Sequence, residues 1–585
     1  MKKILILVGL LLTTLNLMAE PIGEKRAREI ATEFFAEHAT RATTGTLELE
    51  WAGCEINTAC DTGSSLDSSL LYIYNRGNNG GFVVVAGDSN VNPIIAYSLD
   101  STLDVDNMAE ATEAILDAWC RQVKNARETA KPISGTTRQA TRANDAMLYE
   151  TAIWNQFEPY NNEAPIIDGE RSVTGCAATA MAIICHYNKW PEKGTGTTPK
   201  YSYEDDYGHT HTISANTLGR TYDYSKMLMD YNNGYTKAQG DAVAALMKDM
   251  GTAIKMEYHP NGSGAYDIDV LVAFSKYFHY SKGCKLEFGD GYSTEEWNDI
   301  IRENIRKYGP TYFSGSSNTG GHAFVVDGFD TEDRFHFNFG WGGDGNGYYL
   351  VPSIKYYIRQ TILLYLEPDR DGTSQYSENI KMIPLYYSSG ALAFGGILSK
   401  ATSYGQGTQF TCSLGAFINY GATTFDGQVK LVLCDKNGAW KEELWTKSLS
   451  LDPYYYYYWD NQKCTITQSL NEGDRLRVYY KGQYSDEWQW VRSDDIYNVK
   501  DDVLVMASAE DMAKGLALQY DKSEHILAIT NQHAMRVQLY ENDKNNSLGY
   551  ADCTAGIGMS IELGPGTYIL EASLGSDPYS LVIKL

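Results

Sequence analysis

The sequence predicts an α+β protein that ends in β-sandwich domains, and three observations carry that reading. The middle of the chain mixes an apolar helix after Thr174-Gly175-Cys176 with alternating strands around His322 and Phe335–Phe339. A separate helix–hairpin–helix pattern precedes it. After Pro368-Asp369-Arg370-Asp371-Gly372 the pattern changes to short alternating strands punctuated by turns. At 585 residues the chain exceeds the roughly 100–200 of a single domain, so several domains are expected.

The first element is a leader. Lys2 and Lys3 precede an apolar run from Ile4 to Leu17, and Ala19 offers a small residue for cleavage, so residues 1–19 read as a signal peptide. Residues 20–145 follow as an α+β domain with a linker. Ala27, Ile30, Ala31, Phe34 and Phe35 form an apolar helical stripe. Ser69–Tyr74 and Gly81–Ala86 read as a hairpin, and Met108–Arg127 as a second helix. From Lys131 to Asp145 the periodicity disappears into Ser, Thr, Gly and Arg, the composition of an exposed linker open to proteolysis. The catalytic candidate is 146–368, a β-sandwich is expected over 369–507, and a small β domain over 508–585.

Composition narrows the function. A formal charge of −25 without a basic cluster disfavours nucleic-acid binding. No later stretch has the roughly 20 apolar residues of a membrane helix, so export without a membrane span is expected, the mature protein being free, surface-attached or periplasmic. The ten cysteines are scattered, which argues against a dense disulfide framework, and a few bridges among the outer ones stay open. Cys176 and Cys185 lie on opposite faces of one helix and cannot pair, so Cys185 reads as buried filler.

Cys176 opens an apolar helix that should end before Trp190-Pro191. The first backbone N–H groups of a helix lack internal partners and make its start locally positive, which favours a thiolate. A base is available at His322, within Gly320-Gly321-His322-Ala323-Phe324-Val325-Val326-Asp327-Gly328. If that strand pairs with Phe335–Phe339 about a turn near position 330, His322 faces Asn338, and a one-residue slip brings Phe339 instead. Asn338 is thus the candidate orienting group, with His336 and Asp327 as alternatives. His186 is about 280° around the helix from Cys176 and cannot serve it. The order Cys, His, Asn and the 146-residue separation (322 − 176) suit a papain-like thiol site, for which about 130–150 residues is typical.

Trp154-Asn155-Gln156, Pro159-Tyr160-Asn161, Thr174-Gly175-Cys176 to Trp190-Pro191, the segment around His322, and Asn338-Phe339-Gly340-Trp341-Gly342-Gly343 together resemble the streptopain-type cysteine peptidases. Upstream, Gly81–Asp88 and Pro93–Ser98 resemble that family's inhibitory propeptide. The resemblance implies a papain-like core, Cys176 as nucleophile, His322 as general base and then acid, and Gln156 as an oxyanion donor. It also implies Trp341 as a cover over the imidazole. Phe339 stands where the family often has tryptophan. The expectation is therefore a secreted cysteine endopeptidase made as a zymogen. Its partners would be protein or peptide substrates and its own propeptide, with processing near Arg138 or Arg142. A rival is an inert papain-like scaffold that binds a surface partner through its β domains. A third reading, acyl transfer to an amine, uses the same site. His209-Thr210-His211 share a strand face, but flanking Asp, Tyr and Gly read as a solvated loop. Neither a metal nor a cofactor is expected.

Overall fold

The computed structural model describes residues 21–38, 45–54, 69–77, 80–129, 145–205, 207–316, 320–352, 358–388, 392–399, 404, 406–407, 409–471, 473–495, 499–505, 516–521, 525–531, 535–542, 546–553, 559–574 and 577–585. The expected signal peptide and most of the linker, with Arg138 and Arg142, lie outside these residues. The chain divides into two compact units. The first comprises Met1–Met147, Phe329–Phe337 and Gly343–Tyr357; the second comprises Leu148–Gly328, Asn338–Gly342 and Ile358–Leu585.

In the first unit the helix Glu24–Glu37 buries Ala27, Ala31, Phe34 and Phe35. That stripe packs on Tyr72, Tyr74, Val83 and Val85 of the strands Leu71–Arg76 and Phe82–Ala86. These strands form the expected antiparallel hairpin, with Asn75 opposite Phe82. The second helix runs from Glu110 to Thr129. Strand Ile94–Ser98 then pairs with Gly347–Leu350, which lies outside the N-terminal domain in sequence. Gly347–Leu350 in turn pairs with Arg334–Asn338. Buried Arg334 fixes the seam, its guanidinium donating to the Ile94 carbonyl at 3.0 Å and to Asp330 at 3.0 Å. The Trp119 indole N–H donates to the Leu350 carbonyl at 2.9 Å.

The second unit is built around the helix Cys176–Asn188, buried from Ala177 to His186. It stops at Lys189, in the left-handed region at φ 48°, ahead of Trp190-Pro191 as expected. Helices Lys237–Ala253 and Asp267–Tyr277 pack with it in one apolar core, through Leu246, Met250, Leu271 and Phe274. Strand Thr311–Ser316 pairs antiparallel with Gly321–Phe329, placing His322 opposite Gly315. On its other edge Thr311–Ser316 pairs with Ile358–Leu364, which pairs with Lys285–Phe288.

Beyond this core, Gln409–Asn419 pairs with Ile380–Met382, Ile397–Ser399 and Tyr456–Thr465. A second sheet centres on Phe425–Cys434 between Trp440–Leu451 and Arg475–Gly482. Phe417, Leu431, Val478 and Val503 belong to one shared core, the arrangement of a β-sandwich. The sandwich is tied to the core that precedes it by a buried Lys381–Glu287 ion pair and by Tyr420 against Phe288, with ring centroids 4.5 Å apart. Strands from Leu516 to Lys584 form two smaller sheets around Leu527, Ile529, Leu539 and Leu570. Cys185, Cys284, Cys412, Cys434 and Cys464 are buried thiols not joined in disulfides.

Candidate active site

The turn before the nucleophile candidate needs glycine. Gly175 sits at φ +85°, and a Cβ there would lie 2.5 Å from the Met256 Cε and 3.0 Å from the Ser263 carbonyl. Thr179, one turn on, returns its N–H and hydroxyl to the Gly175 carbonyl at 3.1 and 3.0 Å. Cys176 is the first helical residue and is partly exposed, and no acidic side chain occupies the first turn. An anion at its sulfur therefore meets the N-terminal N–H dipoles of the helix and no opposing carboxylate from that turn. Cys185, on the same helix, is fully buried, and that burial pushes its thiol up to about 12. One helix thus holds a partly exposed thiol at its start and another kept neutral by burial.

Cys176 and His322 line the same cavity, of about 350 Å³. His322 Nε2 lies 3.2 Å from the Phe339 carbonyl. A carbonyl only accepts, so this contact is a hydrogen bond when Nε2 carries a proton. That contact is to the backbone of Phe339, the residue that a one-residue slip would bring. Asn338 stands one step behind. Its amide donates to Thr151 Oγ1 and the Ala152 carbonyl, both at 2.9 Å, and its Oδ1 accepts from the Gly340 N–H at 3.2 Å. It shapes the turn that presents the Phe339 carbonyl. Asp327, an alternative orienter, accepts instead from the Thr151 hydroxyl at 2.5 Å. His336, the other, sets its ring edge-on to Tyr348.

That turn is also pinned from outside. Gly340, at φ +71°, approaches Thr179 of the thiol helix so closely that a Cβ would lie 3.0 Å from its Cγ2. The Gly342 N–H donates to the Trp154 carbonyl at 2.8 Å. Trp341 tilts beside His322, with ring centroids 6.4 Å apart. Gln156 is nearly buried, and its carbonyl accepts from the Thr174 N–H at 3.1 Å, two residues before the thiol. Among the described residues its side-chain amide makes no hydrogen bond. His186 is buried against the Met227 carbonyl, and burial holds it down at about 4, so it is no base for Cys176.

The far wall of the cavity contains residues that the motifs did not reveal. Asp267 lines it half-buried, accepting from the Tyr312 and Ser314 hydroxyls at 2.6 and 2.8 Å, and desolvation raises its carboxyl. Arg359, Tyr420 and Tyr454 complete the wall, the two tyrosines from the β-sandwich. The Tyr454 ring is 6.2 Å from Tyr420 and 6.4 Å from Tyr266. The run Tyr454–Tyr458 was a visible signal in the sequence, but nothing local to it indicated a cleft some 280 residues upstream (454 − 176).

Comparison with known proteins places the chain among cysteine peptidases. Residues 154–349 match the model of the Peptidase C10 family, and residues 19–123 match that of the Spi protease inhibitor. Streptopain of Streptococcus pyogenes serotype M1 is 30% identical over 307 residues, covering 50% of this chain and 76% of that protein. The thiol protease/hemagglutinin PrtT of Porphyromonas gingivalis is 32% identical over 366 residues, or 60% of this chain. The chain spans only 41% of that larger relative. A solved fragment of Prevotella intermedia prointerpain A is 26% identical, with a TM-score of 0.45, covering 55% of this chain and 99% of the fragment. The chain belongs to the Peptidase C10 family of cysteine peptidases.

Proposed function

We propose that the protein is an exported endopeptidase made as a zymogen, with Cys176 as nucleophile and His322 as its acid and base. The observation that carries this reading is the shared cavity of Cys176 and His322, with His322 Nε2 against the Phe339 carbonyl. The Cys176 thiolate attacks the scissile carbonyl carbon. The His322 imidazolium gives its proton to the departing amine, leaving a thioester. Neutral His322 then takes a proton from water as the water attacks the thioester, and the thiolate leaves. The Cys176 N–H and the uncommitted Gln156 amide are the donors for the tetrahedral oxyanion. Such donors contribute on the order of 3–4 kcal/mol each.

The substrate is an extended polypeptide, with one flank of the cleft supplied by the β-sandwich. Tyr266 and Tyr454 are at least half exposed beside buried Tyr420, giving flat apolar faces for a substrate side chain. The N-terminal domain acts as the inhibitor. Its strand Ile94–Ser98 extends the Gly347–Leu350 and Arg334–Asn338 hairpin. The inert-scaffold alternative has no observation in its favour. Degradation of denatured casein by processed protein, abolished in Cys176→Ala, tests the reading. Equal degradation by both proteins would overturn it.

A further inference from the structure

The pair His209 and His211 was expected to be a solvated loop, but the fold brings two carboxylates to it from different hairpins. Strands Tyr201–Glu204 and Thr210–Ile213 pair antiparallel, so the two histidines share a face and Asp205 begins the turn between the strands. A second hairpin, Ile166–Ile167 with Glu170–Arg171, carries Asp168 at its tip. One ligand atom from each of Asp168, Asp205, His209 and His211 lies within 4.8 Å of all the others.

Asp205 is the organising group. Its Oδ1 accepts from the Tyr207 and His209 backbone N–H groups at 2.9 and 2.8 Å, which aims Oδ2 at both rings. Oδ2 lies 3.1 Å from His209 Nδ1 and 3.0 Å from His211 Nε2. Asp168 Oδ2 stands 4.0 Å from His211 Nε2. Ligand bonds of about 2.0–2.2 Å in a tetrahedral zinc site imply ligand-to-ligand separations of roughly 3.3–3.5 Å. The 3.0 and 3.1 Å separations need to open by roughly 0.2–0.5 Å and the 4.0 Å one to close by roughly 0.5–0.7 Å. Asp168, with its side chain 57% exposed, and His209, 66% exposed, have room to make that adjustment. As plain hydrogen bonds, two rings must point protons at one oxygen. With a cation, each ring moves its proton to its other nitrogen and presents a lone pair.

We propose that Asp168, Asp205, His209 and His211 bind one divalent transition-metal ion of the zinc class. Two imidazole nitrogens with two carboxylates suit zinc, cobalt or nickel, whereas calcium and magnesium take all-oxygen sets. The ion clamps the Asp168 turn to the His209–His211 hairpin. Ser172 to Gly175 run from the first of these hairpins into the Cys176 helix, so the clamp holds the chain that leads to the nucleophile.

The test uses untagged full-length protein carrying Cys176→Ala, which prevents the catalytic thiol from capturing the probe. The protein is equilibrated with zinc and desalted, then separately titrated with cobalt. The expected result is one retained zinc per chain and the intense visible bands of four-coordinate cobalt. His211→Ala should lose both, and Asp168→Asn should weaken binding at least tenfold. His209→Ala, whose ring is mostly exposed, should melt like its parent in chelator and lose the zinc-dependent rise in melting temperature. Substoichiometric retention in the parent, or retention unchanged in His209→Ala/His211→Ala, would overturn the proposal.

Discussion

Gly175 and Cys176 are neighbours with separable jobs. Gly175→Ala forces a side chain into a left-handed backbone and against Met256. Overpacking of this kind costs about 1–3 kcal/mol, with more for the strained φ. We predict a melting temperature lower by several degrees and a loss of activity larger than the loss of folded protein, read by calorimetry beside casein turnover. Tyr454→Ala tests the opposite wall. Removing an exposed ring from the cleft rim should raise KM several-fold on aromatic-containing peptides and leave kcat within about twofold, since uniform binding is lost. A fall in kcat with KM unchanged would contradict that placement. At this scale the sequence made Cys176 and His322 legible, because each sits in an unusual local pattern. It left the orienting group open, because the choice between Asn338 and Phe339 turns on one residue of register. The outcome depends on Asn338 being drawn off to Thr151 and Ala152, which are close only in three dimensions.

Helices and hairpins with strong periodicity stood out at the scale of elements. The stripe of Ala27, Ala31, Phe34 and Phe35 and the run from Ala177 to Ile184 have few alternative folds, and the structure keeps both. Thr311–Ser316, a central partner of the His322 strand, carries Ser314, Gly315 and Ser316 where apolar alternation would announce a strand. Its place comes from pairing on both edges, a tertiary property. The same holds for Asp494, which lies on the short segment after Val491 and meets Tyr420 only through the fold. Its Oδ2 accepts from the Tyr420 hydroxyl at 2.9 Å, and burial pushes its carboxyl up to about 7 from an ordinary value of 3.8. A carboxyl raised on folding binds its proton more tightly in the native state. The stability it contributes is therefore fully present below about pH 4 and is lost as pH rises through about 7. Asp494→Asn removes that dependence. The wild-type stability relative to the variant should fall between about pH 4.5 and 7.5 in urea denaturation, and a flat difference would refute the assignment.

The whole molecule joins parts that sequence reading treated separately. The β-sandwich is fastened to the catalytic core through the buried Lys381–Glu287 pair, with Lys285 3.7 Å from the same carboxylate. Lys381→Met takes the nearer of two cations from a buried carboxylate and leaves Lys285, so the loss should fall below the about 3–5 kcal/mol of a fully broken buried pair. Lys381→Met/Glu287→Leu should recover most of that in urea unfolding. Within the first unit, Trp119→Ala removes a buried ring and the hydrogen bond to Leu350. The intact precursor of this variant should react with a thiol-directed inhibitor faster than the wild-type precursor, because the N-terminal domain holds its hairpin less tightly. Domain order was legible from composition and turn signals, and the sharing of strands and cleft walls between sequence regions was not.

The account rests on one sulfur being the reactive one, served by one imidazole. Processed protein treated with a peptidyl epoxide and mapped by mass spectrometry tests this most directly. The prediction is one label per chain, on Cys176, none on Cys185, and a rate reduced at least a hundredfold in His322→Ala. Labelling spread over several cysteines, or undiminished without His322, would contradict it.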